Sequence, residues 1–234
     1  MAGSSAVQGV RTLRFYFDYL SSNAYLAWTQ LPKLESRFGV RVEPMPVLFA
    51  GLLEAHGQLG PAEVIPKAIW MAKNTLRKAA LLGVPLEPPR HHPFSPLLSL
   101  RVCSLPMSDA QRRALIDALF QAVWVSGLHV SEPAVIASLA SGLGLDGPQL
   151  ALAAQQPEAK ARLRAQTDAA IAAGVFGVPA MIVDGELFWG YDDWPYLELF
   201  LAGKDPLASG VIQKWVGSVR PSARRRRFRE TEGA

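Results

Sequence analysis

Cysteine is nearly absent from this sequence: Cys103 is the only one in 234 residues. A lone thiol excludes an internal disulfide, a cysteine-built metal site and a dithiol redox couple within the chain. It fits a reducing compartment, so a cytoplasmic location is expected. Histidine is sparse too. His56, His91, His92 and His129 are scattered apart from one adjacent pair, whose setting P-P-R-H-H-P-F reads as a turn, and metal-site spacing is missing. No P-loop and no G-x-S-x-G is present, which removes two common nucleotide and hydrolase readings. No apolar run approaches the roughly 20 residues that cross a bilayer, so no membrane partner is expected. The opening M-A-G-S-S-A-V-Q-G-V-R-T-L lacks a hydrophobic signal core, and residues 1–12 read as a loose leader. An excess of basic charge is also lacking outside one place. The net charge of +4 rests on Arg224, Arg225, Arg226, Arg227 and Arg229 near the C-terminus. Without them the body is close to neutral, so the run reads as a solvated tail and no nucleic-acid partner is expected.

What is present is apolar sequence, 50% of the chain, enough for a full core. Residues 14–19 alternate and are aromatic, as in a strand. Residues 23–38 carry apolar side chains at helical spacing behind Ser21, Ser22 and Asn23, any of which serves as an N-cap. Gly39 closes that helix, and residues 40–49 read as a second strand whose Pro44 and Pro46 suggest an edge. Helices are expected over residues 63–82, 96–104, 109–126 (capped by Ser108 or Asp109), 133–143 and 148–174. Strands follow at 180–183 and 186–189 around Asp184-Gly185, a strong hairpin signal. Asp192 and Asp193 then head a helix ending near residue 201.

The order β-α-β, helices, β-β-α is that of an α/β thioredoxin-like fold with an all-helical insertion. Residues 13–57 and 175–203 form the thioredoxin-like part on this reading, and residues 58–174 the insertion. Residues 204–234 form a C-terminal extension with a basic, disordered tail. Three motifs sharpen the reading: F-Y-F-D-Y-L-S, ending at Ser21, G-V-F-G-V-P, ending at Pro179, and F-W-G-Y-D, ending at Asp192. Together and in this order they resemble the 2-hydroxychromene-2-carboxylate isomerases, relatives of the kappa-class glutathione transferases within the DsbA-like group. The resemblance covers about residues 13–203.

At the first helix, where redox relatives carry C-x-x-C, this chain has S-S-N-A. A helix N-terminus offers unpaired amides and the positive end of a dipole, so it stabilises an anion. With no sulfur of its own, the site suits a thiolate brought by a ligand. The resemblance implies that this ligand is glutathione and that the Ser21 hydroxyl bonds its sulfur. A thiol of pKa about 8.5 drops by two units for about 2.7 kcal/mol of preference for the anion. The resemblance further implies a cis Val178-Pro179 bond whose exposed backbone pairs with the cysteinyl part of the ligand. Lys67 is implied for its glycine carboxylate, Gln58 as a further contact, and Asp192 with Tyr191 for the γ-glutamyl amine. The same resemblance implies that Asn23 faces the ligand or the second substrate. Read from the residues alone, Ser21 and Ser22 are equally helix caps, Lys67 a solvated helix residue and Asp192 an N-cap. Trp70 and Trp189 are core or interface residues, or line an aromatic pocket. Ser22 and Ala24 depart from the family, which has proline and a small residue, often serine, there.

The implied activity is glutathione-dependent cis–trans isomerisation of an aromatic α-keto acid by a homodimer. Two alternatives stay open: a kappa-like glutathione transferase, and a non-catalytic glutathione or peptide binder.

Overall fold

The segment T-L-R-F-Y-F forms β1 (Thr12–Phe17). Leu13, Phe15 and Phe17 are buried on one side and Tyr16 on the other, as in a strand covered on both faces. The computed structural model describes residues 10–90, 92–207 and 211–218. After β1 come α1 (Ser22–Phe38) and β2 (Arg41–Pro46), and late in the chain β3 (Ala180–Val183) and β4 (Glu186–Trp189). The four strands make one sheet of order β2-β1-β3-β4. β1 and β2 are parallel, from Thr12 opposite Arg41 to Phe17 opposite Pro46. Such a pair needs a crossover, which α1 provides. β3 runs antiparallel to β1 and to β4. β2 lies at the edge, where Pro44 and Pro46 are tolerated. Asp184 and Gly185 both have positive φ, 52° and 85°, as a tight hairpin turn demands.

Every described element between β2 and β3 is helical: α2 (Phe49–His56), a 3-10 turn (Pro61–Glu63), α3 (Ile65–Leu82), α4 (Leu97–Ser104), α5 (Asp109–Trp124), α6 (Pro133–Gly142), α7 (Gly147–Ala153) and α8 (Pro157–Ala172). α9 (Trp194–Leu201) and α10 (Val211–Ser218) follow β4. Three elements differ from the sequence reading. The second strand ends at Pro46, not residue 49, and α2 starts where the Phe49 amide donates to the Asp18 carboxylate at 2.9 Å. The helix expected over 148–174 is two, because Pro157 holds Gln156 extended (φ −71°, ψ 155°). The C-terminal extension contains α10, a helix the sequence reading did not include. The leader's residues 1–9, His91 and the arginine run lie outside the described residues. Residues 142–147 spell G-L-G-L-D-G, which has dinucleotide-fingerprint spacing, but it joins α6 to α7 and follows no strand.

Phe120 of α5 sits among the aromatics of β1, α1 and the turn between them, with Tyr19 at 4.8 Å, Phe17 at 5.5 Å and Trp28 at 6.1 Å between ring centroids. One apolar core therefore serves both the sheet and the helices. The opposite face of the sheet packs Tyr16 and Ala180 against Val47, Leu52, Ala170 and Val175, beneath α2 and α8. Among the described residues no helix is long and apolar enough to cross a membrane.

Candidate active site

The site is built at the end of β1, where the chain leaves the sheet and enters α1. Asp18 is fully buried, and its carboxylate accepts the amides of Leu20 (3.0 Å) and Phe49 (2.9 Å). Burial pushes its pKa up to about 7 against the opposing pull of those bonds. The Asp18 carbonyl accepts the Ser21 amide, which fixes the turn into the helix.

Ser21 is the N-cap of α1 in extended conformation. Its Oγ accepts the Ala24 amide at 3.1 Å and donates to the carbonyl of Val178 at 3.3 Å. The amides of Ser22 and Asn23 have no protein acceptor among the described residues, so they are the open donors of the first turn. Val178-Pro179 is cis. The Pro179 carbonyl accepts the Gly190 amide at 2.8 Å, which brings the F-W-G-Y-D loop against the same corner. There the Asp193 carboxylate takes the Trp189 amide and Asp193 is the N-cap residue of α9, so Asp192 is not the cap. Asp192 instead pairs with Lys78 of α3 at 2.7 Å, and Lys78 also donates to Asn23 Oδ1 at 3.0 Å. The Tyr191 ring packs at a tilt against Trp194, 5.3 Å between centroids, and burial first, then the Glu198 charge, raises its phenol pKa. Trp189 lies on Phe176 and over Gly177, where a Cβ would stand 2.6 Å from the indole nitrogen.

Beside the first turn of α1 opens a mainly apolar cleft of about 210 Å³, lined by Ser22, Met71, Thr75, Leu86, His92 and Trp124 among others. Ser22 and Thr75 share a hydroxyl hydrogen bond of 3.1 Å on its wall. Burial holds the His92 pKa below the usual histidine value. A second cleft of about 290 Å³ runs along β2 with Arg41, Glu43, Asp109 and Arg162 on its walls, on the side of β1 away from Val178. It holds none of the residues above. Cys103 is buried in the core against the Tyr19 hydroxyl, with its thiol pushed up to about 12 by burial, so it offers no nucleophile. Among the described residues no three His, Cys, Asp or Glu side chains gather as a metal site needs.

Residues 12–202 match the DSBA-like thioredoxin domain family. A 2-hydroxychromene-2-carboxylate isomerase from Sphingobium xenophagum is 32% identical over 193 residues, 82% of this chain and 98% of that protein. A solved 2-hydroxychromene-2-carboxylate isomerase structure superposes with a TM-score of 0.76 at 29% identity, over 82% of this chain and 95% of that one. The chain belongs to the 2-hydroxychromene-2-carboxylate isomerase family. Glutathione S-transferase kappa 1 of Homo sapiens is a more distant relative, 24% identical over 92% of this chain and 97% of that protein.

Of the positions implied by likeness to the isomerase family, the structure brings Ser21, Val178 and Pro179 together directly. It brings Asn23 and Asp192 together through Lys78, with Tyr191 beside them at 6.0 Å from the Lys78 nitrogen. Gln58 and Lys67 are not joined to this group. Gln58 follows α2 with an exposed side chain, and Lys67 is exposed in the first turn of α3 without an ion-pair partner among the described residues. Trp70 is 55% exposed, and Trp124, not Trp70 or Trp189, lines the apolar cleft. Lys78, Thr75 and Asp18 were missed. Thr75 and Lys78 are one turn apart on α3 and meet Ser22 and Asn23, a spacing that flags a shared face once either contact is known.

Proposed function

We propose that this chain is a glutathione-dependent cis–trans isomerase of an aromatic α-keto acid of the hydroxychromene-carboxylate type. The observation that carries this reading is the Ser21 hydroxyl, which caps α1 and reaches the carbonyl of cis-linked Val178 at 3.3 Å. It stands at a helix end where the chain supplies no sulfur. Bound glutathione would supply a thiolate that adds to the conjugated system and leaves after bond rotation, so that no thiol is consumed.

The residues present fit that ligand. The Ser21 hydroxyl and the Ser22 and Asn23 amides are donors for a thiolate. The Val178 carbonyl is an acceptor for the ligand's cysteinyl N–H. Turning the Ser21 hydroxyl from Val178 to a thiolate exchanges a neutral hydrogen bond for a charge-assisted one, about twice as strong. The same turn frees the Val178 carbonyl. The apolar cleft beside Ser22 suits the aromatic ring of the second substrate and keeps water from it. His92 and the Ser22–Thr75 hydroxyl pair are its polar groups.

The likeness to glutathione S-transferase kappa 1 along nearly its whole length supports a second reading, in which addition to an electrophile is final. One assay separates the two. The chain is incubated with glutathione and 2-hydroxychromene-2-carboxylate while isomer conversion and free thiol are both followed. Conversion at constant thiol is expected. Stoichiometric loss of thiol identifies a transferase, and neither change overturns both.

A further inference from the structure

The C-terminal extension has a feature that isomerisation does not use. The family match ends at residue 202, and α10 (Val211–Ser218) lies beyond it. All 8 residues of α10 are exposed. Its side chains divide by face: Val211, Ile212, Trp215 and Val216 share one stripe at helical spacing, and Gln213, Lys214, Gly217 and Ser218 take the other side. The apolar members are 43% to 68% exposed, Trp215 the most. A helix this short is marginal in water and takes its stability from what its apolar face packs on. In sequence, Arg220 and then Arg224, Arg225, Arg226, Arg227 and Arg229 follow, and no acid occurs from Val211 to Arg229.

We infer that α10 and the arginine run together dock this chain on an anionic lipid surface, with the apolar stripe in the acyl boundary and the cations on the headgroups. This docking does not depend on glutathione binding. An occupant has to answer both features. A nucleic acid offers phosphates to the arginines and bases to Trp215, but no apolar surface to Val211, Ile212 and Val216. A second copy of this chain offers apolar surface, at the exposed Ile69 and Trp70 of α3 for example. Its body without the run is close to neutral, however, and gives the arginines no counter-charge. A bilayer with anionic headgroups supplies both in adjacent layers, and its hold on a helix adds buried apolar area to electrostatic attraction. The expectation of no membrane partner rested on the lack of a spanning run. A helix lying in the interface needs none.

The test is co-sedimentation of the full chain with vesicles of phosphatidylcholine alone and of phosphatidylcholine with about one-third phosphatidylserine. Anionic vesicles should bind about tenfold more tightly or better at low salt, and about 0.5 M salt should release most of the protein. Arg224→Gln, Arg225→Gln, Arg226→Gln, Arg227→Gln and Arg229→Gln combined should abolish that preference, since each cation near the surface contributes about fivefold. Trp215→Ser should weaken binding to anionic vesicles about tenfold. Its melting temperature should match the wild type, because the side chain is 68% exposed. Equal binding to both vesicle types, or to neither, overturns the inference. So does unchanged affinity in Trp215→Ser, which would leave a tail held by charge alone. Tighter binding of duplex DNA than of anionic vesicles identifies a nucleic-acid arm and overturns the lipid reading. A dimer in sedimentation velocity that Trp215→Ser splits, with no vesicle binding, identifies a contact between copies and overturns it too.

Discussion

Ser21→Ala is the perturbation that separates a catalytic hydroxyl from a helix cap. The substitution removes two bonds, one accepted from the Ala24 amide at 3.1 Å and one donated to the Val178 carbonyl at 3.3 Å. Neither neighbour replaces the cap, because the Ser22 hydroxyl is engaged with Thr75 and the Asn23 side chain with Lys78. Loss of the cap should therefore cost about 1 kcal/mol. In a chain of this size that lowers the melting temperature by about 2–4 °C. The effect on a bound thiol is larger and of a different kind. A hydrogen bond to a charged group contributes about 1.5–3 kcal/mol, and one pKa unit corresponds to 1.36 kcal/mol, so the pKa of bound glutathione should rise by about one to two units. Thiolate absorbance of the complex, titrated against pH, reads this directly. Turnover near neutral pH should fall with the thiolate fraction and partly recover at higher pH. Ser22→Ala, whose hydroxyl faces Thr75, should leave the thiol pKa where it is. A shift in Ser22→Ala and none in Ser21→Ala would place the motif one residue off. A shift in neither would reduce both serines to structure.

Asp18 titrates in the fold at about 7, so the folded chain holds a proton between roughly pH 4 and 7 that the unfolded chain has released. Stability contributed by Asp18 therefore falls as pH rises through that window. Asp18→Asn cannot titrate, and urea unfolding at pH 5 and pH 8 should show a smaller loss in the variant; equal losses would count against a protonated Asp18. Gly177→Ala places a Cβ 2.6 Å from the Trp189 indole nitrogen. Displacing that ring should cost about 1–3 kcal/mol and change the tryptophan emission, and an unchanged melting temperature would show that the ring yields freely. Lys67→Ala and Gln58→Ala should weaken glutathione without lowering the melting temperature, since both side chains are exposed. If calorimetry finds no weakening, those two assignments carried over by family likeness do not hold for this chain.

The sheet was legible in the sequence because its signals are local. The strands at residues 180–183 and 186–189 appear at the expected positions, since alternation and the Asp184-Gly185 turn act over a few residues. The cap at Ser21 and the cis bond at Val178-Pro179 were legible through motifs that mark strand ends. α2 was not, because V-L-F-A-G-L-L is short and apolar throughout, and such runs do not distinguish strand from helix. Its start is set by Asp18, a bond across 31 positions. Pro157 was a local signal that the sequence reading passed over.

Lys78 shows the limit from the other side. Its partners lie 55 and 114 positions away, so no window contains them. The adjacent acids Asp192 and Asp193 are alike in sequence, but only their partners assign them: Asp193 takes a backbone amide of its own loop, and Asp192 takes a lysine from another helix. That difference bears on chemistry. An acid bonded to its own loop keeps that loop's shape and has little freedom to meet a ligand. An exposed acid paired with a lysine can exchange that lysine for another cation, provided the lysine is answered in turn. The Ser21 hydroxyl follows the same logic, because its bond to the Val178 carbonyl exchanges for a bond to sulfur only if another donor takes that carbonyl. Under the glutathione reading, the Ser21 contact would exchange an existing internal bond for a ligand bond. Affinity then reflects the difference between two bonds, not the full strength of one. Under that reading, a ligand should gain most where it supplies both members of the exchange at once, sulfur with N–H at Ser21 and Val178.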